Sequence, residues 1–303
     1  MGAGTPMSAS ENPWRHRRVL AYAHQGGARE APSSTLYAIE RALEIGADAI
    51  ELDVHATADG ELVVCHDATL DATTNGAGPI AELRYRDIAR LDAAWNFVPG
   101  LGAVPGRPEA DYPLRGAASS DERLRIARLA DVLAATRGIP VNIDIKQTAP
   151  TVRPYEEALI NLLRTAGRID DTIVASFHEE AIERVRTLEP DVAVSPQRRA
   201  LVAFTVAART RRRPPAWLSR YAALQVPSHV RGVRLVNRAF VRAAHRASLA
   251  VHVWTINDAR EMERLLAAGV DGIMTDEPSV LVSCYERLAV PRARSARPSA
   301  PSS

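Results

Sequence analysis

The stretch AIELDVHATADGELVVCHD, Ala49 to Asp67, sets Glu51 and Asp53 two residues apart in an otherwise apolar run and returns to His66 after a short turn. Side chains alternate along a strand, so both carboxylates project from one face. Like charges repel there unless something positive lies between them, and a hard divalent cation with oxygen ligands meets that need. The later run VNIDIK adds Asp144 as a third oxygen donor, with Lys146 on the same face. A lysine beside three carboxylates points to an anionic substrate, because its compact charge suits a phosphate oxygen. His24 closes the run VLAYAH and His66 follows the turn, and both have the side chain best suited to acid and base work near neutral pH. Taken alone, Glu51 and Asp53 read equally well as salt-bridge partners at a strand end, and a single histidine is more often structural. The combination with Asp144 and Lys146 favours chemistry.

Something must bring these residues together. Short β-type runs alternate with amphipathic helical stretches, the pattern of parallel βα units. Eight strands are expected: VLAYAH, AIELDV, VNIDIK, TIVASF, VAVSP, ALQVP, VHVWT and GIMTD. ELVVCH is not a ninth parallel strand, because only HATADG precedes it and a parallel crossover needs about a dozen residues. It should fold back as a hairpin, with Asp59 and Gly60 in the turn. Helices such as TLYAIERALEIG, YEEALINLLRTAG and DAREMERLLAAGV separate the strands. The expected fold is an α/β protein, one (β/α)8 TIM barrel over residues 18–289, whose chemistry sits at the C-terminal ends of the strands. One rim would then carry His24, Glu51, Asp53, Asp144, Lys146, Ser176, Gln225 and Trp254. Residues 68–125 are too long for a βα loop and are expected to be an insertion beside the site, with a helix near Arg84 to Leu91. Residues 1–17 and 290–303 read as flexible ends, the latter rich in Pro, Ser, Ala and Arg.

Composition sets limits. The 303 residues are 46% hydrophobic, enough for a large core, and 38 basic against 36 acidic side chains leave no global field for nucleic acid. Two cysteines far apart argue against a disulfide framework or a thiolate metal site and favour a reducing, cytoplasmic setting. No run resembles a signal peptide or approaches the ~18 apolar residues of a membrane span. The basic run ARTRRRPPAW offers at most a weak peripheral contact with lipid headgroups, and a solvated surface is its plainer reading.

The motifs AHQGG, PSSTLYAIERALEIGADAIELDVHATADGELVVCHDATLDATTNG, DIK, SF, LQVP, VHVWTIND and GVDGIMTDEP, in this order, resemble the glycerophosphodiester phosphodiesterase family over nearly the whole chain. The resemblance implies one divalent cation, Mg²⁺ or Ca²⁺ with Mn²⁺ also suitable, on Glu51, Asp53 and Asp144. It implies His24 and His66 as the catalytic pair and Lys146 as a phosphate contact. The reaction implied is hydrolysis of a small glycerophosphodiester to sn-glycerol 3-phosphate and an alcohol. The family pattern has arginine where this chain has Gln25, Glu-Asn where it has Ser33 and Ser34, and usually glutamate where it has Asp144. Gln25 lacks the charge and the fork of an arginine but still offers an amide to phosphate. Ser33 and Ser34 are expected to cap the first helix. Aspartate at the third ligand position also occurs in sphingomyelinase D-like relatives, which keeps a phospholipase D-like or lyase activity on lysophospholipids as an alternative. A barrel that binds phosphodiesters without turning them over is a third reading. Phe177 and Trp254, at strand ends, are candidates for the alcohol pocket, whereas His55, His178, His229, His245, His252 and Cys65 read as structural.

Overall fold

The computed structural model describes residues 12–16, 19–210 and 212–290. Eight parallel strands form its centre: β1 (Leu20–His24), β2 (Ala49–Ala56), β3 (Val141–Ile145), β4 (Thr172–Ser176), β5 (Ala193–Val194), β6 (Ala223–Pro227), β7 (Ala250–Trp254) and β8 (Gly272–Thr275). Their order, β5-β4-β3-β2-β1-β8-β7-β6, is a barrel open only between its two ends. There the Ala222 N–H donates to the Val194 carbonyl at 3.1 Å, so the seam is nearly closed. This is the (β/α)8 architecture expected from the alternating pattern.

The strand pleat sorts side chains in the way the sequence requires. Along β2, Ile50, Leu52 and Val54 face outward into the buried layer under the helices, while Ala49, Glu51 and Asp53 face the barrel axis. Lower in the barrel, Leu20, Tyr22, Ala49, Ile173, Ala250 and Met274 fill the interior. His252 is wholly buried there, its ring 5.1 Å from that of Tyr22. A Cβ at Gly272 would stand 2.8 Å from the His252 ring and 2.9 Å from Tyr22, so only glycine fits between them.

Leu62–Val64 pairs antiparallel with β2, with Val54 opposite Val64 and Ala56 opposite Leu62, as the hairpin reading required. Gly60 takes the positive φ of 87° that the turn demands. The Cys65 N–H then bonds to the Asp53 carbonyl at 2.9 Å, which delivers His66 beside the acids.

Four expectations need correction. The helix expected near Arg84 to Leu91 is a single turn, Tyr85–Ile88: the Leu91 N–H bonds to the Ile88 carbonyl at 3.0 Å and not to that of Asp87, and the Asp92 N–H beyond it is taken by Asn75 Oδ1 at 2.9 Å. β5 is two residues long, since Pro196 has no N–H to extend the ladder. The first barrel helix, Leu36–Ile45, is capped by neither Ser33 nor Ser34: Thr35 Oγ1 accepts from the Ala38 N–H at 3.1 Å. Finally, within the segment read as flexible, Asn12 and Trp14 pack into the barrel floor. Trp14 is 1% exposed, and Asn12 Nδ2 donates to the carbonyls of Ala222 and Ser248 at 2.8 and 2.6 Å. Residues 1–11 and 291–303 lie outside the described residues.

Candidate active site

Register brings the polar residues into one place. β1 pairs with β2 so that His24 stands opposite Glu51, and β2 pairs with β3 so that Asp53 stands opposite Asp144. Each of these side chains points inward at the C-terminal end of its strand. Together with His66 and Lys146 they line one cleft of about 770 Å³, which also takes in Ser176, Gln225, Phe177 and Trp254. Its floor is fixed by Gln225 Nε2, which donates across the barrel to Asn142 Oδ1 at 2.6 Å.

Burial disfavours the charged forms of Glu51 and Asp144. Burial, then Asp53 and Asp144, push the Glu51 carboxyl up to about 8, against the pull of His24. Burial and Asp53 raise Asp144 to about 6, with Lys146 opposing. Lys146 Nζ stands 3.0 Å from Asp53 Oδ1 and 3.3 Å from Asp144 Oδ2. Burial acts to lower its pKa, but Asp53 and Asp144 outweigh it and lift Lys146 to about 12.

Among the described residues no three carboxylate, imidazole or thiolate groups already converge as a metal cage. The lysine ammonium bridges two of the acids instead. The donor set nevertheless fits a hard cation, because Asp53 Oδ2 and Asp144 Oδ1 are buried without a hydrogen-bond partner and Glu51 adds a further buried carboxylate.

His24 is held from two sides. Its Nδ1 lies 2.6 Å from Asp276 Oδ1, and its Nε2 lies 3.7 Å from Glu51 Oε2. Burial works to lower the imidazole pKa, yet Glu51 and Asp276 overcome it and raise it to about 9. Asp276 is itself anchored, its Oδ2 accepting from Asn257 Nδ2 at 2.7 Å. His66 is half-exposed, with Nδ1 2.7 Å from Asp67 Oδ1. Its carbonyl lies 3.3 Å from His55 Nε2, and His55 Nδ1 lies 3.2 Å from Gln147 Oε1.

Asp276, Asn257 and Asp67 were missed as site residues. A signal was available: positions 272, 274 and 276 share the inward face of β8 and its extension, and an acid just past a barrel strand is placed where the chemistry sits. Gln25 is not on the main cleft. Its side chain lines an adjoining cavity of about 310 Å³ with Arg29, Ser33, His66, Asp67 and Asp276. Its backbone N–H donates to the Glu51 carbonyl at 3.0 Å and to Oε2 at 3.2 Å, from a positive φ of 52°. The contact with the carboxylate is therefore independent of the side chain that departs from the family pattern. Arg29 is tied to Glu277 at 3.0 Å. Phe177 is 76% exposed at the cleft mouth, edge-on to Trp254 with ring centres 6.3 Å apart.

Comparison with known proteins agrees with this architecture. The sequence model of the glycerophosphoryl diester phosphodiesterase family matches residues 24–280. The chain is 29% identical to a glycerophosphodiester phosphodiesterase of Caldanaerobacter subterraneus, over 89% of this chain and 99% of that one. It is 31% identical to one of Bacillus subtilis, over 91% of this chain and 90% of that one. A phosphodiesterase of Oleispira antarctica, solved in complex with the product sn-glycerol-3-phosphate, superposes with a TM-score of 0.66 at 22% identity, covering 89% of this chain and 97% of that one.

Proposed function

Because the chain belongs to the glycerophosphoryl diester phosphodiesterase family, we propose that it hydrolyses glycerophosphodiesters to sn-glycerol 3-phosphate and an alcohol, as a step in glycerophospholipid breakdown. The observation that carries this reading is the gathering of Glu51, Asp53, Asp144, Lys146, His24 and His66 on one cleft at the catalytic rim of the barrel. The named activity of the relatives and the product bound in the Oleispira enzyme support it.

Members of the family generally depend on a divalent metal. In this proposal Glu51, Asp53 and Asp144 hold one such cation, Mg²⁺ or Ca²⁺, with Mn²⁺ a substitute. A cation bound there supplies Lewis-acid stabilisation of charge on the phosphoryl oxygens. The protein's own side chains do the rest. Lys146, a fixed ammonium at the cleft floor, balances the negative charge of the diester. His24 and His66 move protons, one taking a proton from the attacking water and the other delivering one to the departing alcohol oxygen. Asp276 orients His24 and fixes which ring nitrogen faces the substrate, as a buried carboxylate does for a catalytic histidine. Trp254 and Phe177 border the space for the organic part of the substrate. Gln25 contributes from the adjoining cavity.

No helix among the described residues is long and apolar enough to cross a membrane. A cytoplasmic setting, part of this proposal, is supported by the two buried cysteines, both free thiols. Burial pushes the Cys65 thiol up to about 12, so it stays protonated beside His66 and takes no part as a nucleophile. The proposal is tested by incubating the protein with glycerophosphocholine and Mg²⁺ or Ca²⁺ and following products by phosphorus NMR. Glycerol 3-phosphate is the expected product; phosphocholine, or unchanged substrate, overturns the reading.

A further inference from the structure

Of the six ionisable residues gathered at the catalytic rim, His66 has the most open side chain, 47% exposed against 20% or less for His24, Glu51, Asp53, Asp144 and Lys146. Its ring meets the carboxylate of Asp67, a half-exposed neighbour on the same loop. A side chain placed in this way takes its position from its backbone. That backbone is tied on one side by the Cys65 N–H, which donates to the Asp53 carbonyl at 2.9 Å. On the other side the His66 carbonyl lies 3.3 Å from Nε2 of His55. His55 is buried and shares the face of Glu51 and Asp53 on β2. Its second ring nitrogen, Nδ1, stands 3.2 Å from the side chain of Gln147, the residue that follows Lys146 at the end of β3. Gln147 is held in turn. Its N–H donates to the Tyr155 hydroxyl at 3.4 Å, and that hydroxyl donates to the Val54 carbonyl at 2.6 Å, back on β2.

We propose that His55 is a positioning residue for the reaction. One nitrogen of its imidazole holds the segment that carries His66 and the other holds the segment that carries Lys146, so the ring sets how far apart these two groups stand across the cleft. The carbonyl of His66 can only accept, which assigns a proton to Nε2. The Gln147 amide accepts from Nδ1 or, turned over, donates to it, so the bridge holds in either charge state of the ring. The role rests on the phosphodiesterase reading, because it consists in presenting the exposed His66 ring to the phosphate that Lys146 engages.

Such a bridge has a signature that plain packing lacks. The experiment compares wild type with His55→Phe, which keeps a ring but bonds neither side, and with His55→Gln, whose amide nitrogen reaches the place of Nε2. The constants kcat and KM for glycerophosphocholine are measured with Mg²⁺ or Ca²⁺ well below the Tm of each protein. Hydrogen exchange at the Cys65 amide, the other tie on the His66 segment, is followed by NMR. His55→Phe should lose roughly 10² in kcat, the effect of misplacing a reacting group by about 1 Å, with KM nearly unchanged. Its Cys65 amide should exchange roughly tenfold faster while the Ile143 amide in β3 keeps its wild-type rate. His55→Gln should recover most of both losses. Adding Gln147→Leu to His55→Phe should cost little more, since the bridge is already broken. A wild-type kcat in His55→Phe, or equal losses in both single variants that follow their Tm, overturns the proposal. Should wild type leave glycerophosphocholine intact, the phosphodiesterase reading falls; an unchanged Cys65 exchange rate in His55→Phe then overturns the bridge as well, and a faster one upholds it.

Discussion

Asp276 Oδ1 lies 2.6 Å from His24 Nδ1, across the seam where β8 pairs with β1. The contact joins the two ends of the sequence, and Asn257 secures it by donating to the other carboxylate oxygen at 2.7 Å. Because His24 also faces Glu51, its ring is oriented by one acid and presented to another. Asp276→Asn keeps the shape but lets the amide nitrogen face the imidazole, favouring the wrong tautomer. Kcat should fall by roughly 10² to 10⁴ while KM changes little, the worth of a correctly presented acid or base. Asp276→Glu should recover part of the loss. Equal losses in kcat and in thermal stability for both variants would mean that Asp276 serves the fold alone.

Cation binding should be visible without any turnover. If Glu51, Asp53 and Asp144 hold one divalent ion, a concentration near 100 times its Kd stabilises the protein by about 2.7 kcal/mol. For a chain of this size that is a rise in Tm of roughly 4 °C. In Glu51→Gln the neutral amide is a poorer ligand for a hard cation, and the shift should shrink severalfold. An undiminished shift in the variant would take Glu51 out of the ligand set.

Much of this site was legible in the sequence for one physical reason. Alternation along AIELDV fixes which residues face the axis, and the same alternation places Asp144 and Lys146 on VNIDIK, so four of the charged residues follow from period two alone. The hairpin followed from chain length, since HATADG is too short for a crossover. Trp14 was not legible, because a lone aromatic outside any periodic run carries no signal of the barrel floor it fills. The insertion was expected from its length, but its internal course was not legible: its turns are held by single side-chain contacts, such as Asp92 Oδ1 and Oδ2 accepting from the Ala94 and Gly116 N–H groups. Gln25 shows a different limit. Its sequence neighbour His24 enters the main cleft, but a positive φ turns Gln25 into the adjoining one, and that backbone state is invisible in a residue type that rarely adopts it.

The barrel interior should make the protein sensitive to acid. Burial holds the His252 imidazole down to about 4, against about 6.5 in an unfolded chain. The unfolded state therefore binds a proton that the folded state refuses between these values. Stability from this group is complete above pH 6.5 and is lost progressively as the pH falls toward 4, by about 3 kcal/mol in all. His252→Leu removes the titration, so its urea midpoint should fall less steeply over that window than wild type. Parallel slopes would show that His252 is protonated in the folded protein.

Trp14 gives a direct measure of the barrel floor. Its ring is buried among Leu20, Tyr22 and Ala223 and meets His252 edge-on, 6.2 Å between centres. Trp14→Ala should cost roughly 3 to 5 kcal/mol, the usual loss when a large buried aromatic leaves a cavity. A change in urea midpoint equivalent to under 1 kcal/mol would place Trp14 outside the cooperative core.

The most direct test of the whole account is the rate of glycerol 3-phosphate release from glycerophosphocholine, measured with Mg²⁺ or Ca²⁺ and again with excess chelator. The three inward carboxylates and Lys146 at the end of one cleft predict steady release of glycerol 3-phosphate with choline in equal amounts, stopped by the chelator and restored when the cation is returned. Release at full rate in excess chelator, or no glycerol 3-phosphate under any divalent cation, would contradict it.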